Sequence, residues 1–553
     1  MKRHGFRPAD EWVVTLRLPS AAERRSDGGV WCNIIHAPAP FQAWRGRWCW
    51  LCLMVEYGDL VDVTFSPLTW RARGLGYHFG TSTLIDGWRS VSALEAYAHQ
   101  LDSYQFVALK NPQVHQENDR KLLVISRWPI MLGGPLCALV KFVEGGNDEF
   151  LTIRHYNPLS GQFDGQEVLC TYRKQQLPGC PVRYVSPLGI EASIFNENGF
   201  YIYGDFTSDY FQITAIQPKV LTEPSFIFGR ATTVHSAHEF LHLMRSKQSR
   251  QGYAAEFTYL SEANKWGTTN KIGKRWLIFH SYVSHRVQMA KWLQFYTWLA
   301  PRTLSWIFWV NEIINSGHLG LGFAEIVTDP FTRLPKVEIT YAQPMVPGMF
   351  PMPSGYYDWA SFLGRIDLGF FFWSTVTDVF LDCPAFFETK NAVSCFESLC
   401  FRLEEKFYDF LTGYGEGLLD GTVLNNCSTA VAYALGNILN DQCENNSGDV
   451  ARMAGALNHA LFDKSMPRYW EAPHTEHRNR NIVDTWRISK TIRSPLPNVI
   501  QENMVSALIQ EDFCLSSTVC HMNGQAGADF IYRGPLLHTR EKTREDRWLV
   551  TLK

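Results

Sequence analysis

SGHLGLGFAEIV, residues 316–327, followed by the turn-forming TDPFTRLP and then KVEITYAQ to residue 343, reads as a β-hairpin. Its second arm alternates apolar and polar side chains, and Pro330 and Pro335 bracket the turn. His318 stands near the entry of the first arm. Alternation lets only one of Glu338 and Gln343, both on the return arm, share the His318 face. Folding about the turn brings Gln343 nearer the level of His318, with Tyr341 the weaker choice.

Further along, NNCSTAVAYAL (425–435) puts Cys427 at the start of an apolar helix, behind two asparagines suited to capping. A thiol in that place feels the positive end of the helix dipole, which favours the thiolate. Acyl transfer by a thiol needs three things: the thiolate, an imidazole base, and a polar group that fixes the imidazole tautomer. Cys427 supplies the nucleophile, His318 the base and Gln343 the orienting group. Amide donors near Asn426 would steady an oxyanion. The expected reaction is cleavage of a peptide, amide or other acyl substrate through an acyl-enzyme, without a cofactor.

The chain has 553 residues, too many for a single core. Hydrophobic residues make up 46% of it, ample for packed interiors, and a net charge of −2 leaves no basic excess for tracking nucleic-acid phosphates. Thirteen cysteines, an odd and unpatterned set, point to a reducing compartment. No apolar run follows the basic N-terminus, so no signal peptide is expected, and the cytoplasm is the expected location. Residues 287–314 are rich in tryptophan, but Pro301 and Arg302 divide them into pieces too short to span a bilayer. Helices there, from Trp292 to Trp309, would suit a protein core or contact with a membrane surface.

The expected organisation is α+β. Residues 1–45 read as loop-like. Residues 46–230 hold short β-rich runs such as KLLVISRWPI, EFLTIRHY and FYIYGDF, separated by turn signals, and suggest a β-barrel or sandwich. A helical connector with the aromatic helices occupies 231–315. The Cys–His domain, a hairpin plus helices near Trp359–Leu363, Thr375–Leu381 and Ala392–Leu411, fills 316–460. Residues 461–553 are polar, with one amphipathic helix near Asn498–Gln510.

A competing motif is His238-Glu239-Phe240-Leu241-His242, an HExxH. On a helix its histidines share one face four residues apart and could hold zinc while Glu239 activates water. Glu262 is the candidate third ligand. Arg245 stands where the extended form of the motif has glycine.

The order of a GH strand, a polar residue on the next strand, and an NC opening a later helix resembles the circularly permuted NlpC-type and lecithin:retinol-acyltransferase-like cysteine hydrolases. Carried over by position, that resemblance implies a papain-like C-terminal half with Cys427 as nucleophile, His318 as base and Gln343 in the third place. The segments GFYIYGDFTSDYFQITAIQPK (199–219), GHLGLGFAEIVTDPFT (317–332), ITYAQ (339–343), NNCS (425–428) and SPLPNVIQENMVSAL (494–508) also resemble cyanobacterial Abi (CAAX)-family proteases. Membership of that kind would imply a protease, or a membrane-peripheral binding or interaction protein descended from one.

Overall fold

The computed structural model describes residues 5–17, 30–53, 62–64, 90–92, 98, 101, 105–117, 120–145, 150–172, 190–207, 209–222, 230–234, 272–283, 317–343, 355–366, 375–382 and 516–523. Strands account for 59% of the described residues and helices for 11%. The α+β expectation, with a hairpin-plus-helices papain-like half, is therefore corrected to a strand-built protein with two large sheets. The α-helix with described bounds is a single turn, Trp359–Phe362, capped by the Asp358 carboxylate accepting from Ser361 N.

Thr375–Leu381 shows why the helix expectation failed. Those residues lie in a strand, Thr375–Asp382. The run TVTDVFLD has four β-branched residues, but Asp378–Leu381 are all buried, so no polar–apolar alternation marks it as a strand. A short apolar run cannot be told from a helical turn by periodicity. The loop-like reading of residues 1–45 also gives way, since Val13–Arg17 and Val30–His36 are strands. A further strand, Ser516–Asn523, lies within the polar C-terminal region.

One sheet closes on itself. Leu136–Val143 pairs with Phe150–His155 on one side and with Phe200–Phe206 on the other. Glu167–Tyr172 and Phe211–Pro218 complete the ring, and Arg7–Pro8 adds an outer strand. Phe150–His155 buries every second side chain, as a barrel strand must.

The second sheet has fourteen strands. Its centre runs in the order Thr375–Asp382, Arg275–Val283, Gly317–Thr328, Pro335–Gln343 and Gly355–Asp358, each antiparallel to the next. Strands near the N-terminus, among them Val13–Arg17, and Ser516–Asn523 belong to this one sheet. Pairing so distant in sequence leaves no local trace.

The hairpin turn at 329–334 ties the two sheets together. Asp329 is buried and accepts hydrogen bonds from Phe331 N, Thr332 N and Oγ1, and Tyr201 Oη of the barrel. Phe331 packs with Tyr201, Tyr203, Cys137, Leu139, Ala215 and Ala360 in a shared core. Beyond the helical turn, Ile216 N donates to Gly364 O and Ile366 N to Thr214 O. No helix among the described residues is long and apolar enough to cross a membrane.

Candidate functional site

On the Gly317–Thr328 strand, His318, Gly320 and Gly322 share one face because side chains alternate. Directly paired residues of antiparallel strands lie on the same face. His280 pairs with both Gly320 and Asp378, and Tyr341 pairs with Gly322. Gln343, one step past the Leu321–Ala342 pair, comes level with Gly320. One face of the sheet thus gathers His318, Gln343, Tyr341, His280 and Asp378, all buried. Glu338 pairs with Glu325 and falls on the opposite face.

The two glycines make the gathering possible. A Cβ on Gly320 would lie 2.4 Å from Gln343 Oε1 and 2.8 Å from Gln343 Nε2. On Gly322 it would lie 3.1 Å from Tyr341 Cδ1. Without side chains at these points, the central strand is bare enough for its neighbour's long side chains to lie across it.

Gln343 uses that space to reach His318, with Oε1 2.7 Å from the imidazole Nε2. A carbonyl oxygen only accepts, so Nε2–H is the donor and the ring's lone pair resides on Nδ1. Tyr341 reaches further. Its hydroxyl donates to Asp378 Oδ2 at 2.6 Å, while His280 Nδ1–H donates to Asp378 Oδ1 at 2.5 Å. The rings of His280 and Tyr341 stand 4.7 Å apart, and Phe362 from the helical turn packs against both. Both carboxylate oxygens of Asp378 are therefore engaged, as burial of a charge requires.

The structure brings His318 and Gln343 together; Cys427 and Asn426 lie outside the described residues. So do His238, Glu239, His242 and Glu262 of the zinc motif, and the Trp292–Trp309 segment. Among the described residues no cluster of three or more His, Cys, Asp or Glu could hold a metal ion. Sequence reading missed His280 and Asp378. The first lies in the strand Arg275–Val283, inside the 231–315 segment expected to be a helical connector, and had no partner in sequence to give it meaning. The second was hidden by the helical reading of Thr375–Leu381.

The described thiols contrast with what the chemistry needs. Burial pushes the Cys49 thiol up to about 11 and that of Cys137 up to about 12, and raises Cys32 and Cys170 as well. These are packing cysteines, protonated at neutral pH. The Cys49-Trp50-Leu51-Cys52 pattern belongs with them, all four residues being buried. Neither a protein-family model, a curated protein nor a solved structure matches this chain.

Proposed function

We propose that the protein is a thiol-dependent acyl hydrolase acting on a peptide, amide or ester, with Cys427 as nucleophile, His318 as base and Gln343 as the group that holds the base. The observation that supports this reading is the 2.7 Å contact between His318 Nε2 and Gln343 Oε1. It fixes the imidazole in the tautomer whose Nδ1 can take a proton from a thiol.

In the first half-reaction the Cys427 proton moves to His318 Nδ1 and the sulfur attacks the acyl carbon. An S–C bond forms, and collapse of the tetrahedral adduct breaks the bond to the leaving group, which takes the proton from the imidazolium. In the second, water gives a proton to Nδ1 and its oxygen attacks the thioester. The S–C bond breaks, the acid leaves, and the proton returns to sulfur. No redox partner is needed. A free thiol on this pathway and an odd cysteine count favour a reducing compartment such as the cytoplasm.

The test is to trap the intermediate. Incubation with p-nitrophenyl acetate, quenching in acid and peptide mapping should find an acetyl group on Cys427 that disappears as the ester is consumed. Acetylation scattered over lysines, with Cys427 unmodified, would contradict the proposal.

A further inference from the structure

Phe6 closes one end of the barrel. Its ring centroid stands 4.7 Å from that of His155, 5.1 Å from Phe206 and 4.3 Å from Phe211. His155 pairs with Val140, Val140 with Phe200, and Phe206 with Phe211, which puts these side chains on one inner face. His155 is 3% exposed, yet Phe6 is only half-buried and Gly5 is exposed. Gly5, at φ +89°, lays bare backbone on the imidazole, and a Cβ there would run into Nδ1. On this side one short segment keeps the ring from water.

The charged side chains of the elements packed around the ring are engaged elsewhere. Arg7 donates to Pro330 O and lies over Phe331, and Lys141 lies over Phe163. Arg154 pairs with Glu167 on the outer face, Asp164 accepts from Ser160 Oγ, and Asp205 accepts from Phe206 N. Cys170 and Tyr172, on the inner face of the next strand, carry no charge at or below neutral pH. Among the described residues no carboxylate thus stands ready to balance an imidazolium here, and a charge on His155 has to find water. In keeping with this, burial lowers His155 from 6.5 to about 4.

We propose that Gly5–Pro8 is an acid-released plug: protonation of His155 drives Gly5 and Phe6 off the barrel end, admits water to the ring and uncovers Phe206 and Phe211. Little holds the segment in place. Arg7–Pro8 pairs with Leu136 and Cys137, but Pro8 has no N–H to give, and the next backbone bond is Ala9 N to Pro135 O. Opening such an end costs far less than unfolding the whole. With the exposed ring at its ordinary value, the open population grows about tenfold for each pH unit below 6.5, until the closed form is itself protonated. This device is independent of the acyl-hydrolase reading.

Hydrogen exchange of the intact protein at pH 7 and pH 4.5, corrected for the intrinsic pH dependence of exchange, tests it. Opening of the segment carrying Arg7 and Ala9 should increase about 50- to 100-fold on acidification, while Leu151 and Ile153 in the barrel wall keep their protection. No increase overturns the plug. An equal increase at Leu151 and Ile153 means loss of the whole barrel and overturns it too. In His155→Leu the increase should shrink to within about twofold. A full increase there places the titration on another group, such as His4, and overturns the role of His155. Gly5→Ala leaves the barrel wall untouched and covers failure of that variant to fold. Its Cβ wedges against the ring, so the segment should exchange at pH 7 as the parent does at pH 4.5, and parental exchange at pH 7 overturns the inference.

Discussion

Gly320 and Gln343 fill one space between them: a Cβ on the glycine would stand 2.4 Å from the amide oxygen. The glycine is thus the counterpart of the side chain that crosses it. Gly320→Ala should force Gln343 out of register with His318 and cost about 1–3 kcal/mol, the usual range for overpacking. Denaturant unfolding reads the stability loss, and the alkylation rate of Cys427 should fall with it. A variant of parental stability and parental thiol reactivity would show that the amide has another way to lie.

Tyr341 and His280 jointly satisfy the Asp378 carboxylate. Tyr341→Phe withdraws one of these donors from a buried charge and is expected to destabilise by about 1–3 kcal/mol. Asp378→Ala, which strands both donors in the interior, should cost about 3–5 kcal/mol. Chemical denaturation of the two variants checks the order. Equal, small effects would mean that water reaches this cluster.

Two groups give opposite pH dependences of stability. Burial lowers His155 from 6.5 to about 4, so between those values the unfolded chain binds the extra proton and stability rises with pH. Burial raises Asp358 from 3.8 to about 6, against the hydrogen bonds from Ser361, so over that window the folded chain binds the extra proton and stability falls as pH rises. Each contribution is at most about 3 kcal/mol. From pH 4 to 6 they offset one another in the parent protein. Asp358→Asn should unmask the His155 contribution as a rise in melting temperature from pH 4 to 6.5. His155→Leu should unmask the fall due to Asp358. Flat profiles in both variants would contradict these assignments.

Asp329 accepts four hydrogen bonds, three from its own turn and one, from Tyr201 Oη, that joins the turn to the barrel. Asp329→Ala leaves Tyr201 Oη and two turn amides without that acceptor, and about 2–4 kcal/mol of destabilisation is expected. Asp329→Asn, which keeps an oxygen for part of the set, should lose less. Thermal melts distinguish the two. Matching losses would assign the effect to charge alone.

The local part of this site was readable from sequence. Alternation along KVEITYAQ and the turn between Pro330 and Pro335 were enough to put Gln343, and not Glu338, on the His318 face. What could not be read was anything carried by distant pairing. Asp378 has meaning only opposite His280, and 98 residues separate them. The glycines at 320 and 322 were visible as part of the hairpin. Their use as clearances for Gln343 and Tyr341 depends on which strand lies alongside. The large sheet escaped for the same reason, since Val13–Arg17 and Ser516–Asn523 take part in it across nearly the whole chain.

The claim on which the rest depends is that His318, held by Gln343, activates Cys427. Its most direct measurement is the rate of iodoacetamide alkylation at each of the thirteen cysteines, followed by peptide mapping between pH 5 and 9, in the parent protein and in His318→Ala. We expect Cys427 to react first, with its reactivity already present below pH 7, and to lose that advantage in the variant. Cys427 reacting no faster than the other thiols, or equally fast without His318, would contradict it.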